Sequence, residues 1–218
     1  MAFDLDHALR YLIAAEGSDL HLKVPSYPLI RLHGHLEPIA GTERLYPEDT
    51  RQALAQMLLD PEKVAEFEAE NEVDFSYSVE GLGRFRVNAF LQRGSISVVM
   101  RAIPVTIKSV DELGLPEAVT DLANEERGII LLTGTTGSGK STTLAAMIDH
   151  MNRTMQKHIV TIEDPIEFLH RDRSSIINQR EVGADTASFK RALRRVLRQD
   201  PDTIPFSVPA IIARACCC

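Results

Sequence analysis

Residues 134–141 read Gly134-Thr135-Thr136-Gly137-Ser138-Gly139-Lys140-Ser141, a complete G-x-x-x-x-G-K-[ST] loop. The run Ile129, Ile130, Leu131, Leu132 precedes it inside an apolar stretch from Gly128 to Thr133, which predicts a parallel strand covered on both faces. A helical pattern from Ser141 to Met151 follows. Strand, glycine loop and helix together supply what a nucleotide triphosphate needs. Backbone N–H groups wrap phosphate oxygens, and the positive helix end favours the anion. Lys140 is then expected to reach the β and γ phosphates, Ser141 to offer its hydroxyl to Mg²⁺, and the loop through Thr142 to form the binding surface.

The 218 residues are 44% apolar and 25% charged, an ordinary globular composition that allows one large or two small domains. A net charge of −7 argues against nucleic acid as the main partner. No stretch approaches the roughly 20 apolar residues of a membrane span. The opening Met1 to Leu12 carries Asp4 and Asp6 in place of a basic leader, so the expected location is cytoplasmic. Cys216, Cys217 and Cys218 close the chain, with neither a disulfide framework nor metal-ligand spacing, and Ala215 breaks the prenylation pattern.

Leu5, Ala8, Leu9, Leu12 and Ile13 recur at helical spacing, and Gly17 is the expected C-cap. Leu20, Leu22 and Val24 alternate with polar residues, as do Ile30 and Leu32 up to a turn at Gly34. Residues 48–70 predict two helices separated at Asp60-Pro61, with Asp as cap and Pro in the first helical position. Alternation at Val73 to Val79, Phe85 to Leu91 and Ile96 to Ile103 predicts a meander, so 1–103 reads as an antiparallel sheet with helices. Residues 104–116 read as a linker. From Glu117 onward, helix and buried strand alternate, as in a parallel α/β sheet.

Glu163-Asp164-Pro165 follows the buried strand His158 to Ile162, and carboxyl ends of parallel strands are where ligands sit. One acid there could activate a water and the other could hold Mg²⁺ through water; a turn cluster is the alternative. Phe189, Ala192, Leu193, Val196 and Leu197 form an apolar helix stripe, which groups Arg191, Arg194 and Arg198 on another face. That row reads equally as a phosphate or subunit grip and as a solvated basic face. Arg84, Arg86, Arg93 and Arg101 fall on strand positions of the meander.

Several strings together resemble the PilT family, the type IV pilus retraction ATPases of the secretion-ATPase superfamily. They are Ser18-Asp19-Leu20-His21, Gly83-Arg84-Phe85-Arg86-Val87-Asn88-Ala89-Phe90, the loop Gly134 to Met147, Thr161 to Phe168, Asn178-Gln179-Arg180-Glu181-Val182-Gly183, and Leu197 to Asp202. The likeness spans about residues 1–204. It implies an α/β protein: a PAS-like α+β domain over 1–103, then an incomplete RecA-like P-loop NTPase domain over 117–204. It further implies ATP with Mg²⁺ as ligands, a hexameric ring, and work beneath the inner membrane on the pilus platform protein. Glu163 matches the glutamate that polarises the attacking water, with a possible water-mediated role at Mg²⁺. Arg86 and Arg101 match arginines that approach the phosphates as the ring closes. Arg194 and Arg198 match arginines of the ATP site or the adjacent subunit.

After Asp200-Pro201-Asp202 the family continues with an apolar strand, Gly-Glu, and a histidine box. This chain reads Thr203 to Cys218 instead, with Pro205 and Pro209 where a central strand is expected. The expectation is therefore that 205–218 is a non-family tail outside the sheet, resembling out-of-frame translation. Without the Walker B glutamate, hydrolysis should be badly impaired even where ATP binds. An incomplete sheet should also expose an edge and apolar surface. Two readings follow: an ATP-hydrolysing retraction motor subunit, or a non-catalytic module whose first domain docks on full-length ring subunits. An unrelated P-loop kinase or ABC-type protein lacks support, since neither a signature motif nor a lid insertion is visible.

Overall fold

A computed structural model describes residues 3–207 and 210–214, with side chains described as far as 206. The chain divides into two units, Met1–Ile103 and Pro104–Cys218.

The first unit runs α1 (Leu5–Ala14), β1 (Asp19–Leu22), β2 (Leu29–Leu32), β3 (His35–Pro38), α2 (Pro47–Met57), α3 (Pro61–Glu70), β4 (Glu72–Val79), β5 (Gly83–Gln92) and β6 (Ser95–Ala102). Its six strands form one antiparallel sheet in the order β3-β2-β1-β6-β5-β4. The period of two decides which face is dry. Phe85, Val87 and Ala89 of β5 join Leu20, Leu22, Val98 and Met100 in a core with Leu5, Leu9 and Leu12 of α1 and Ala53, Leu54 and Met57 of α2. Arg84, Arg86 and Asn88 alternate with them. Each large apolar side chain removed from water contributes about 1.5–3 kcal/mol. Asp60 caps α3 by accepting from the Glu62 N–H, with Pro61 as its first residue.

Two local expectations change here. β3 follows the Gly34 turn without a clear alternation signal, because all four of its residues are exposed. The end of α1 uses Glu16, not Gly17, as its left-handed residue, at φ 54°. Gly17 is there for space: an added Cβ would lie 2.7 Å from Leu12 Cδ1 and 3.2 Å from the Arg31 carbonyl oxygen.

The second unit begins with 104–116, which contains neither helix nor strand but buries Ile107 and Val110. It continues through α4 (Glu117–Asn124), β7 (Gly128–Leu131), α5 (Lys140–Thr154), β8 (His158–Glu163), β9 (Ile176–Glu181), α6 (Phe189–Val196), β10 (Thr203–Ser207) and β11 (Ala210–Arg214). The sheet order is β7-β11-β10-β8-β9. β8 is parallel to both neighbours, whereas β11 is antiparallel to β10 and to β7, so the sheet is mixed. Alternation along β8 sends Ile159 toward Leu144, Met147, Ile148 and Met151 of α5. Val160 and Ile162 go to the other face, against Ala192 and Val196 of α6.

The start of the tail does not lie outside the sheet, contrary to the expectation from its prolines. Thr203–Ser207 is a strand of the sheet, registered against β8 at Thr203↔Ile159 and Phe206↔Ile162. Pro205 removes one ladder donor, a loss of about 1 kcal/mol, while Ile204 and Phe206 are buried among Val160, Ile162, Ala192 and Val196. Burial of two large apolar side chains outweighs one missing hydrogen bond. Ala210–Arg214 then pairs between β10 and β7. Pro209 and Cys216, Cys217 and Cys218 lie outside the described residues.

β7 also differs from its expected setting. It stands at the end of the sheet order, its pairing within the sheet is antiparallel, and it ends at Leu131, short of Thr133. Ile129 is 70% and Leu131 61% exposed, so the strand is not covered on both faces. The uncovered apolar surface expected of an incomplete sheet is present here.

Candidate nucleotide phosphate site

The loop between β7 and α5 is exposed and turns on glycines at positive φ: Gly134 at 154°, Gly137 at 80° and Gly139 at 88°. At Gly134 a Cβ would meet Ser138 Oγ at 2.6 Å, so a side chain there would break the turn. Gly139 is the N-cap of α5 and has no side chain to satisfy the first helical N–H groups. Those donors, at the positive end of a 15-residue helix, remain available to an outside acceptor. Lys140 curls over the loop, its Nζ donating to the carbonyl oxygens of Gly134 at 2.9 Å and Thr135 at 2.7 Å. An ammonium, a fan of N–H donors and a glycine cradle fit a phosphate chain.

The structure brings Ser141 and Glu163 to one cavity. Its lining includes Ser141, Leu144 and Ala145 of α5, Thr161 and Glu163 of β8, Glu167, Phe168 and His170 of the next loop, and Pro205 and Phe206 of β10. Strand alternation is the cause, since Thr161 and Glu163 share the α5 side of β8 with Ile159. The Glu163 Oε1 accepts from the Thr161 hydroxyl at 2.6 Å and from Gln179 Nε2 at 2.9 Å. Burial pushes the Glu163 carboxyl up; donors from Thr161, Gln179 and the Glu167 backbone pull it back, and the nearby Glu181 pushes it up again. The net direction is upward, toward the working range of a general base.

His170 is the neighbour that sequence reasoning missed. Its Nδ1 is buried with no hydrogen-bond partner among the described residues, and burial pushes the imidazole down to about 4, opposed by Asp149. A histidine whose folded pKa lies below its ordinary 6.5 contributes stability that is lost as pH falls between those values. At ~1.4 kcal/mol per pH unit of separation, the loss reaches roughly 3 kcal/mol by pH 4. His170→Gln is therefore expected to flatten the decline in urea midpoint between pH 7 and 4.5. A decline as steep as in the parent would contradict this assignment.

Arg86 and Arg101 sit in the first unit, opposite each other in the β5–β6 register. Arg101 Nε donates to Asp19 Oδ1 at 2.8 Å, while its side chain stays 68% exposed. Burial works to raise the Asp19 carboxyl, but hydrogen bonds from Ser18 and Arg101 hold it below the usual range. Arg31 approaches the same carboxylate at 3.7 Å. Cross-strand pairing thus aligns Arg31, Asp19, Arg101 and Arg86 in one row. Arg194 and Arg198 are exposed on and just after α6 and do not line the Ser141–Glu163 cavity. The α6 stripe is narrower than its spacing predicts: Ala192 and Val196 are buried, whereas Leu193 and Leu197 are exposed.

Gln179 and Thr161 had no assigned role from sequence. The i, i+2 relation of Thr161 to Glu163 was readable; the register Thr161↔Gln179, which brings β9 to the same carboxylate, was not. Among the described residues no helix is long and apolar enough to cross a membrane. Nor does any group of three or more His, Cys, Asp or Glu suit a metal there, and a phosphate-bound Mg²⁺ does not require such a cage.

Residues 45–206 match the Type II/IV secretion system protein family. The chain is 44% identical over 203 residues to the Type IV pilus retractation ATPase PilT of Pseudomonas aeruginosa, covering 92% of this chain and 58% of that protein. It is 45% identical over 177 residues to a twitching motility protein of Neisseria gonorrhoeae, covering 81% of this chain and 47% of the relative. A crystal structure of the pilus retraction motor PilT with bound ADP superposes with a TM-score of 0.83 at 44% identity, over 94% of this chain and 59% of that one. The chain thus spans about half to three fifths of the length of these relatives. With a PAS-like α+β unit preceding part of a RecA-like P-loop unit, this chain belongs to the Type II/IV secretion system protein family, on its PilT branch.

Proposed function

We propose that this chain is an ATP-binding subunit of the type IV pilus retraction machinery of twitching motility. The observation that carries the reading is the cavity shared by Ser141, at the start of the phosphate-loop helix, and Glu163, at the tip of β8. Gly134 to Ser138 and the first N–H groups of α5 hold the phosphates, with Thr142 in the first helical turn. Lys140 exchanges its two carbonyl acceptors for β and γ phosphate oxygens. Ser141 is the residue that would hold Mg²⁺, with Glu163 near it through water; the ion, when bound, draws charge off the phosphates. Glu163 accepts the proton of the attacking water. Arg86, Arg101, Arg194 and Arg198 are the cations that a neighbouring subunit or ring closure would bring to developing charge.

The partners in this reading are further copies in a hexameric ring and the platform protein of the pilus at the cytoplasmic side of the inner membrane. Hydrolysis is expected to be impaired while ATP still binds, because residues 203–218 carry no Gly-Glu pair. The reading is checked by displacement of a fluorescent ATP analogue. ATP and ADP are expected to compete while AMP does not, because the loop holds the phosphate tail and not the sugar. AMP competing as well as ATP would remove the reading. A second reading, a non-catalytic module docking on full-length subunits, draws on the self-contained core of the first unit.

A further inference from the structure

We propose that Gln179 is the positioning residue for Glu163, clamping its carboxylate toward the cavity it shares with Ser141. The proposal rests on the nucleotide reading of that cavity. Gln179 spends its amide on three neighbours at once. Its Oε1 accepts from the His170 backbone N–H at 2.8 Å, and its Nε2 donates to the Phe168 carbonyl at 2.8 Å and to Glu163 Oε1 at 2.9 Å.

The two backbone partners remove any ambiguity in the amide. A flipped side chain would set its oxygen against the Phe168 carbonyl and its NH₂ against the His170 N–H. The group facing Glu163 is therefore a donor. The Thr161 hydroxyl, directly across the parallel ladder from Gln179, donates to the same carboxylate oxygen at 2.6 Å. β8 and β9 thus hold Glu163 from two sides, and the loop 168–170 is anchored by the same amide. A carboxylate has about four lone-pair directions. Thr161, Gln179 and the Glu167 N–H occupy three of them, which leaves one open to a further donor such as a water. Gln179 does not reach the nucleotide; it sets where the base points.

The test uses the 218-residue chain with ATP and Mg²⁺. Gln179→Leu and Thr161→Val are each expected to slow single-turnover phosphate release about tenfold or more, the loss expected of a hydrogen bond to a charged group, with ATP affinity unchanged. Thr161→Ser, which restores the hydroxyl, is expected to recover most of the rate. The clamp has its own signature independent of turnover. The Gln179 side-chain NH₂ protons, assigned by their loss in Gln179→Leu, are expected downfield and slow to exchange, and Glu163→Ala is expected to shift them. Unshifted Gln179 NH₂ resonances in Glu163→Ala, or equal loss of ATP affinity and rate in Gln179→Leu, would overturn the proposal. Failure of the underlying reading looks different: Lys140→Ala would then leave ATP affinity intact while the Gln179 signature still responds to Glu163.

Discussion

Phe206→Ala is expected to destabilise the second unit by about 3–5 kcal/mol, the range for removing a buried aromatic ring. That is a large share of the roughly 5–15 kcal/mol that holds an ordinary domain together. Phe206 is 8% exposed, sits among Val160, Ile162, Ala192, Val196 and Ile204, and also lines the cavity beneath Glu163. The measurement can separate the two units without labels. There is no tryptophan, and Tyr11, Tyr27, Tyr46 and Tyr77, the only tyrosines, all fall within 1–103. Tyrosine fluorescence therefore follows the first unit, while far-UV circular dichroism follows both. In urea, Phe206→Ala is expected to bring an early circular-dichroism transition with the tyrosine midpoint unmoved. A variant whose dichroism curve overlays the parent would show that β10 is not part of the core.

The same residue marks where sequence reasoning stopped. Phe206 follows Pro205, and a proline in a central strand is ordinarily a reason to reject the strand. The rule weighs the backbone donor alone; the structure weighs it against Ile204 and Phe206 together, and burial wins. β7 failed for the complementary reason. Four consecutive apolar residues predict cover on both faces, but cover depends on which strands lie alongside, and β7 has β11 on one side with Ile129 and Leu131 left in water. Local features were readable because their causes are local: the Asp60-Pro61 start of α3, the Phe85-Val87-Ala89 face of β5 and the glycine loop all follow from spacing within a few residues. Glu163 was legible as a strand-tip acid. Its partners Gln179 and His170 were not, because β9 register and the loop 168–170 bring them there across the sheet.

The second large effect concerns Lys140. Its ammonium is held over the loop by two carbonyls of the glycine turn, so it is already placed where a phosphate oxygen would meet it. Binding trades two neutral acceptors for anionic ones, and hydrogen bonds between charged partners are the stronger kind. Losing such a contact costs about 1.5–3 kcal/mol, roughly a ten- to 150-fold weaker affinity. Lys140→Ala is not expected to unfold the chain, because the half-buried side chain packs in neither core of the second unit. Lys140→Arg keeps the charge but puts a planar fork where a compact ammonium fits, so it is expected to recover little.

The central claim is that the glycine loop and its lysine grip the phosphate tail of a nucleotide within reach of the acid at the tip of β8. Calorimetric titration of ATP with Mg²⁺ into the parent chain and Lys140→Ala, with both confirmed folded by their urea midpoints, tests it most directly. The parent is expected to bind at a single site and Lys140→Ala at least ten times more weakly. Equal affinities in two equally folded proteins would contradict the account.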